Sequence, residues 1–226
     1  MKSLIIITGT TRGLGNALET ELLLDKSNHV LSINRTDHLE NTQHHTNVHI
    51  DLSIMSQDDI EKYKKILLDL LKSNKFSKIF FINNAFSISP LGTLHTLNNK
   101  EIIDSLHINI LSAILLLKTF IAITQDIPIE KIIINISSGA AKYAIDKWSI
   151  YCLSKASIEM FVKSIEKEYS EIFSIYNIDP GTIDTSMQEK IRLTVPENKY
   201  FLDLKTKKLL NEPQTVAKDI LKKVGL

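Results

Sequence analysis

Hydrophobic positions in this chain fall into short β-branched runs that alternate with longer stretches of helical spacing. Leu4-Ile5-Ile6-Ile7 leads into a glycine turn, as a strand buried on both faces of a parallel sheet does. From Gly13 to about Asp25, Leu14, Ala17, Leu18 and Leu22 recur three and four apart, which predicts a helix with one apolar face. Val30 to Ile33 reads as a second strand, and Val48-His49-Ile50 as a third, closed by Asp51-Leu52. Asp58 to Leu71 is helical, with Ile60, Leu67, Leu68 and Leu71 apolar. Ile79-Phe80-Phe81-Ile82 is a fourth strand that ends at Asn83-Asn84-Ala85. A long helix from about Glu101 to Ile123 precedes a fifth strand at Ile132 to Ile136. A helix carrying Tyr151 continues to about Tyr169, and a sixth strand, Phe173 to Ile178, leads into Asp179-Pro180-Gly181. A last helix covers Pro213 to about Val224.

Strands alternating with helices imply right-handed βαβ crossovers, hence an α/β fold: a doubly wound parallel sheet of about six strands with helices on both faces. No repeat, low-complexity tract or Pro/Gly linker divides the chain, so 1–226 reads as one domain. In such sheets the ligand sits beyond the carboxyl ends of the strands. The candidate chemistry clusters at those ends.

Composition narrows the function classes. At 226 residues, 43% hydrophobic and 23% charged, the chain is an ordinary globular protein large enough for a buried core. A net charge of +1 gives no bulk electrostatic case for nucleic acid or an anionic membrane. The single cysteine, Cys152, excludes an internal disulfide, fits a reducing cytosol, and suits a small buried hydrophobe better than a nucleophile. No segment reads as a membrane span or signal peptide, so the expected compartment is cytoplasmic.

Tyr151 and Lys155 lie four apart on a predicted helix, which puts an ammonium on the same face as a phenol. A phenol with a pKa of about 10 is a poor proton donor near neutrality, and a nearby cation is expected to lower it. Alone, such a pair is often only a surface contact. Ser138, closing the run Ile134-Asn135-Ile136-Ser137-Ser138, raises it above chance. Between the first strand and first helix lies Thr8-Gly9-Thr10-Thr11-Arg12-Gly13-Leu14-Gly15-Asn16. Glycines there permit close approach of a pyrophosphate to a helix N-terminus. The spacing is not that of a nucleoside triphosphatase loop.

After the second strand, where an acid would hold a ribose 2′-hydroxyl, stand Asn34-Arg35-Thr36. A guanidinium suits a 2′-phosphate, and Arg12 could reach the same group; both arginines could equally be solvated surface residues. Asp37 nearby complicates the charge pattern. The expected cofactor is NADPH/NADP, preferred over NADH.

With Thr-Gly-x-x-x-Gly-x-Gly at 8–15, Asn-Asn-Ala at 83–85, Ser138, Tyr151-x-x-x-Lys155 and Pro180-Gly181, the chain resembles the short-chain dehydrogenase/reductase family, whose fold is of Rossmann type. Within it, Ile136-Ser137-Ser138-Gly139-Ala140, Tyr151-Cys152 and the run Pro180 to Gln188 resemble bacterial benzil reductases and sepiapterin reductases. The resemblance implies that Tyr151 protonates a carbonyl oxygen as hydride arrives. Lys155 then holds the nicotinamide ribose and lowers the phenol's pKa, and Ser138 steadies the developing alkoxide. Asn109 would support a water-mediated proton relay; a kink or a solvated surface position would also account for a mid-helix asparagine. The glycine turn, with Gly9, Thr11, Arg12, Gly13, Leu14 and Gly15, would cradle the cofactor beside Arg35 and Thr36. Asp51 and Leu52 would meet adenine, Asn84 and Ala85 a ribose, and Pro180, Gly181, Ile183 and Thr185 the carboxamide and nearby phosphate. No metal is expected. A homodimer or homotetramer is implied, built on the two long helices bearing Asn109 and Tyr151.

Two departures from the family pattern stand out. Phe86 replaces the glycine of Asn-Asn-Ala-Gly, so either the loop is rearranged or Phe86 projects into the mouth of the site. After the last helix the chain stops at Leu226, where family members continue into a seventh strand, so one sheet edge is expected to be bare or covered by a partner. Segment 186–212, with Met187, Ile191, Leu193, Val195, Tyr200 and Phe201 among charges, reads as a substrate lid or as a disordered surface loop. Trp148 and Tyr143 are candidates for the pocket wall. A carbonyl reductase is the first functional reading; a non-catalytic NADP(H) sensor or scaffold is the second.

Overall fold

The computed structural model describes residues 2–36, 39–194 and 199–226, so Asp37 and Val195 lie outside the described residues. Six strands form one sheet: β1 (Ser3–Thr8), β2 (Asn28–Asn34), β3 (His45–His49), β4 (Lys78–Asn83), β5 (Glu130–Ile136) and β6 (Ser174–Ile178). Every pairing is parallel and the order is β3-β2-β1-β4-β5-β6, so the chain reverses direction across the sheet between β1 and β4. The crevice at that reversal is where a doubly wound sheet accepts a ligand.

Alternate residues of each central strand serve two cores. Ile5, Ile7, Phe80, Ile82 and Ile134 pack under α1 (Gly13–Leu24) and α8 (Pro213–Lys223). Leu4, Ile6, Phe81 and Ile133 face the other way, toward α2 (Gln57–Ser73), α4 (Ser112–Thr124) and α5 (Ser149–Glu168). Leu4 through Ile7 are fully buried, each worth about 1.5–3 kcal/mol of transfer free energy. That double burial is why the strands read as unbroken apolar runs rather than alternating ones.

Four expectations need correction. β3 begins at His45, not Val48, because its inner positions are filled by a polar group with partners: the His45 ring is buried against Glu19 of α1. A hydrophobic pattern cannot register such a position. The long helix is not uniform. It runs as α3 (Asn99–Leu106), a π-helical turn over His107–Leu111, then α4. By length and composition the run Asn99–Thr124 could also cross a membrane, its most apolar 18-residue stretch having mean hydropathy 2.0, contrary to the reading that no segment looks like a span. Here Leu116, Leu117 and Phe120 bury it against the sheet. Finally, the described part of 186–212 is ordered as α6 (Ser186–Thr194) and α7 (Lys199–Thr206), which removes the disordered-loop alternative there.

Three neighbouring strands carry an asparagine at the same register near their carboxyl ends. Asn83 donates to Asn135 (2.9 Å) and Asn135 to Asn177 (2.8 Å), a buried amide ladder directly beneath the candidate site. It fixes the relative heights of β4, β5 and β6, and so of the loops that leave them.

Candidate active site

β1 ends at Thr8 and the backbone turns at Gly9, whose φ of +73° suits glycine. A Cβ at Gly15 would lie 2.0 Å from the Gly9 carbonyl oxygen and 2.4 Å from Asn84 Nδ2, so the helix start packs too closely for any side chain. Asn84 fastens the turn, its Nδ2 donating to the carbonyls of Thr8 and Gly9 at 2.9 Å each. The Thr8 hydroxyl accepts from the amides of Asn84 (3.1 Å) and Ala85 (3.0 Å) in return. α1 opens at Arg12 with no side-chain cap and no acidic residue in its first turn. Its amides and positive dipole end are therefore available to an anion, and the turn fits a dinucleotide pyrophosphate. Thr11 and Arg12 are exposed at its rim, and Leu14 anchors it in the core. The Thr185 methyl lies 3.3 Å from where a Gly13 Cβ would sit, which brings the loop after β6 to the same turn.

At the end of β2, Asn34 Oδ1 accepts from the Thr10 amide at 2.7 Å, and Arg35 and Thr36 follow in exposed positions. Asp51 accepts from the Ser53 amide (2.9 Å) and hydroxyl (2.7 Å). Burial works against its charge, but the Ser53 bonds and the positive charge of Arg35 hold the carboxyl below its usual range. Arg35 and Asp51 thus share one corner, with Leu52 packed on the core behind them.

Tyr151 and Lys155 project from the first turns of α5, and Ser138 stands between β5 and a short 3-10 turn at Gly139–Ala141. Ser138 Oγ accepts from the Ala140 amide at 3.2 Å and lies near enough to the Tyr151 phenol to act on its acidity. Burial pushes that phenol up to about 12; the Ser138 hydroxyl opposes the rise, and the Asp179 charge adds to it. The net direction for the phenol is therefore upward, with burial the largest cause. Lys155 Nζ donates to the Ile136 carbonyl at 2.7 Å, lies 3.3 Å from the Phe86 ring centroid, and is farther, 5.8 Å, from the Tyr151 ring centroid. Burial pulls Lys155 down to about 7, against the charges of Asp179 and Glu159. At neutral pH it is then only partly charged.

Asn109 sits in the π-helical turn and is fully buried. Its amide is spent on the loop after β4: Oδ1 accepts from the Ser87 amide (2.7 Å), and Nδ2 donates to the Ser87 carbonyl (2.8 Å) and Ser105 Oγ (3.2 Å). Both the kink alternative and a site-side placement hold for Asn109; a solvated position does not. Phe86, next to Ser87, projects into the site, with its ring edge-on to Tyr151 at 6.4 Å and 81°. Its φ is not positive, so nothing in this backbone demands glycine.

After β6, Asp179 accepts from the Gly181 amide at 3.0 Å and turns the chain at Pro180-Gly181. Ile183 pairs with Asn211 in a parallel bridge that ties this loop to the segment before α8. Phe201 of α7 stacks on Trp148 (5.0 Å, 10°), and Trp148 packs edge-on against Tyr151 (5.7 Å, 82°). Phe86, Tyr151, Trp148 and Phe201 therefore form one aromatic wall, whereas Tyr143 is 71% exposed. A surface cavity of about 400 Å³ lies at the opposite, amino-terminal ends of the strands, lined by Ser3, Glu21, Asp25, Lys78, Lys218 and Leu226. Its walls are open and of mixed charge, and none of Ser138, Tyr151, Lys155 or the glycine turn lines it, so we place the chemistry at the carboxyl ends.

The short chain dehydrogenase family model matches residues 3–196. A benzil reductase ((S)-benzoin forming) of Bacillus cereus is 35% identical over 230 residues, covering 96% of this chain and 91% of that protein. A sepiapterin reductase of Xenopus tropicalis is 31% identical over 153 residues, 64% of this chain and 57% of that protein. The solved structure of ElxO with NADP bound superposes with a TM-score of 0.77 at 22% identity, over 98% of this chain and 90% of that one.

The chain belongs to the short chain dehydrogenase family.

Membership makes it an oxidoreductase that uses a nicotinamide cofactor. Against that frame of a short chain dehydrogenase, sequence reasoning missed two carboxylates. Asp179 enters the sequence reading only as the first residue after the sixth strand, yet its charge reaches both Tyr151 and Lys155. Glu159, one turn beyond Lys155 on α5, accepts from Ser137 Oγ (2.5 Å) and Lys163 (2.8 Å). The spacing Lys155-x-x-x-Glu159 on one helical face was the available signal.

Proposed function

We propose that this protein is an NADPH-dependent carbonyl reductase acting on a small or aromatic ketone or diketone. The observation that carries it is the gathering of Ser138, Tyr151 and Lys155 at one buried corner, one loop away from the glycine cradle. Bound NADPH would supply hydride to the carbonyl carbon. The Tyr151 phenol gives its proton to the carbonyl oxygen, so that aldehyde or ketone becomes alcohol. A phenol kept neutral by burial is in the protonation state that this step requires. Ser138 donates to the same oxygen as negative charge develops on it. Lys155 holds the nicotinamide ribose and, once charged there, stabilises the phenolate left on Tyr151. Asn109 supports the relay by holding the Ser87 backbone, one residue from Phe86, whose ring meets Lys155.

Gly9, Thr11, Gly13, Leu14 and Gly15 cradle the pyrophosphate, with Thr185 at its side. Arg12 and Arg35, both exposed at one rim, take a 2′-phosphate, in keeping with the NADP held by ElxO. Asp51 and Leu52 meet adenine, Asn84 and Ala85 the ribose, and Pro180, Gly181 and Ile183 the carboxamide. The aromatic wall of Phe86, Trp148 and Phe201, covered by α6 and α7, favours an aryl ketone, as the benzil reductase relative's name suggests. Exposed Leu111, Leu153 and Met160 on the two long helices support assembly as a homodimer or homotetramer.

Following NADPH absorbance across a panel of aryl ketones and 1,2-diketones tests the reading, with NADH in parallel. A clear NADH preference would remove the cofactor assignment. Tight NADPH binding without turnover of any panel member would favour the sensor reading, for which the contact between Phe86 and Lys155 is the one structural argument.

A further inference from the structure

The position after Asn83-Asn84-Ala85 is where this chain departs from its family's sequence, and the structure gives that departure a contact. The Lys155 amine is enclosed by the Ile136 carbonyl (2.7 Å) and the face of the Phe86 ring (3.3 Å to the centroid). Tyr151 stands farther off, its ring centroid 5.8 Å from Nζ. Phe86 is itself hemmed in. It meets Tyr151 edge-on, packs against the Ala113, Ile158 and Val162 cluster between α4 and α5, and precedes the doubly hydrogen-bonded Ser87. Among the described residues, the charged or titratable groups that face Lys155 are Tyr151, Asp179 and Glu159. A desolvated ammonium over an aromatic face gains more than one in water. The ring therefore favours this one arrangement of the amine, bonded to Ile136 and seated on the Phe86 face.

Building on the reductase reading above, we propose that Phe86 is a positioning residue: it stores the Lys155 amine in a resting place, and a nicotinamide nucleotide must displace the ring to claim that amine. The consequence is an affinity cost in the resting protein, in exchange for a proton donor whose cationic neighbour is delivered only with the cofactor. Phe86→Leu keeps apolar bulk but removes the ring quadrupole, and Phe86→Gly restores the family's residue.

Two measurements test this. In the cofactor-free protein, the ε-carbon NMR signal of Lys155, assigned through its loss in Lys155→Met, is titrated with pH. In Phe86→Leu its midpoint is expected to fall by about half to one and a half pH units, because the ring favours the charged amine. Separately, NADP+ binding is read from the fluorescence of Trp148, the single tryptophan, which packs on Tyr151. Phe86→Leu and Phe86→Gly are expected to bind about 3- to 30-fold more tightly than the unaltered protein. A Lys155 midpoint that stays put or rises in Phe86→Leu would overturn the proposal, since the ring would then only pack or exclude water. Weaker NADP+ binding by both variants would also overturn it, by making Phe86 a wall of the cofactor site. If the unaltered protein binds no NADP+ while the Lys155 midpoint still falls in Phe86→Leu, the stored amine stands and the reductase reading fails.

Discussion

At the glycine turn the site is made of backbone, whereas at the reaction corner it is made of side chains that have more than one place to go. Gly9, Gly15, Thr8 and Asn84 hold one another through main-chain contacts and hydrogen bonds of 2.9–3.1 Å, and the uncapped end of α1 faces outward. Ser138, Tyr151, Lys155 and Phe86 sit in an apolar box where burial raises the phenol and lowers the amine. The first region is preorganised for an anion before anything binds. The second holds its groups near their uncharged forms and needs a partner to bring out their chemistry. An anion site can afford rigidity because its ligand's charge is constant; an acid that must give up and regain a proton cannot.

The largest expected effect separates the two regions. Tyr151→Phe removes the proton donor and leaves the turn intact, so turnover should fall by about 10²–10⁴-fold while the NADPH dissociation constant changes little. Steady-state rates and a fluorescence titration on the same preparation check this. Retention of most of the rate would take Tyr151 out of the acid role and erase the distinction. The reverse experiment is Gly15→Ala. A methyl group 2.0 Å from the Gly9 oxygen forces the turn apart, which should cost about 1–3 kcal/mol of stability and most cofactor affinity. Circular-dichroism melting and the same titration would show it, and unchanged NADPH binding would mean that the turn is not the cradle.

How much of each region the sequence discloses follows the same division. The turn is legible because glycine is required for steric reasons that depend only on neighbours along the chain and on one adjacent strand. β1, β4 and β5 are legible because both faces are apolar. Tyr151, Lys155 and Ser138 were legible as residues, but not the direction of Lys155. Four residues along a helix fix which face a side chain leaves from, not whether its end reaches the Ile136 carbonyl. Phe86 was visible as an anomaly, but its contact with Lys155 depends on how α5 packs against the loop after β4. β3 was misplaced because Glu19 and His45, polar residues with partners, occupy positions that an apolar pattern would need.

A smaller effect sharpens the anion side of the comparison. Arg35→Ala leaves the turn untouched and should weaken NADPH binding by about 10-fold, with NADH nearly unaffected, because an exposed guanidinium contributes one charge-assisted contact in water. Comparable losses for both cofactors would make Arg35 structural. The effect of its charge on Asp51 makes that a real alternative, which the ratio of the two Michaelis constants resolves.

The smallest expected effect concerns a buried group that neither region uses directly but that lies beneath the turn. Glu19 of α1 accepts from Thr10 Oγ1 (2.9 Å) and contacts His45 Nε2 (3.2 Å), and it also accepts a hydrogen bond from Ser32. His45 Nδ1 contacts the Glu40 carbonyl at 3.1 Å, so the ring joins the turn, β2, β3 and the loop after Arg35. Burial works against protonating His45, but the Glu19 and Glu40 contacts outweigh it and raise the ring above the usual 6.5. The folded protein therefore binds this proton more tightly than the unfolded chain does. The resulting stabilisation is fully present below the unfolded value of about 6.5 and is lost as pH rises through the raised folded value. Melting temperature should thus decline over that window in the unaltered protein, and in His45→Gln the decline should flatten while the melt stays cooperative. If the two pH profiles run parallel, His45 is neutral in the fold, and the base of the turn is held by ordinary hydrogen bonds.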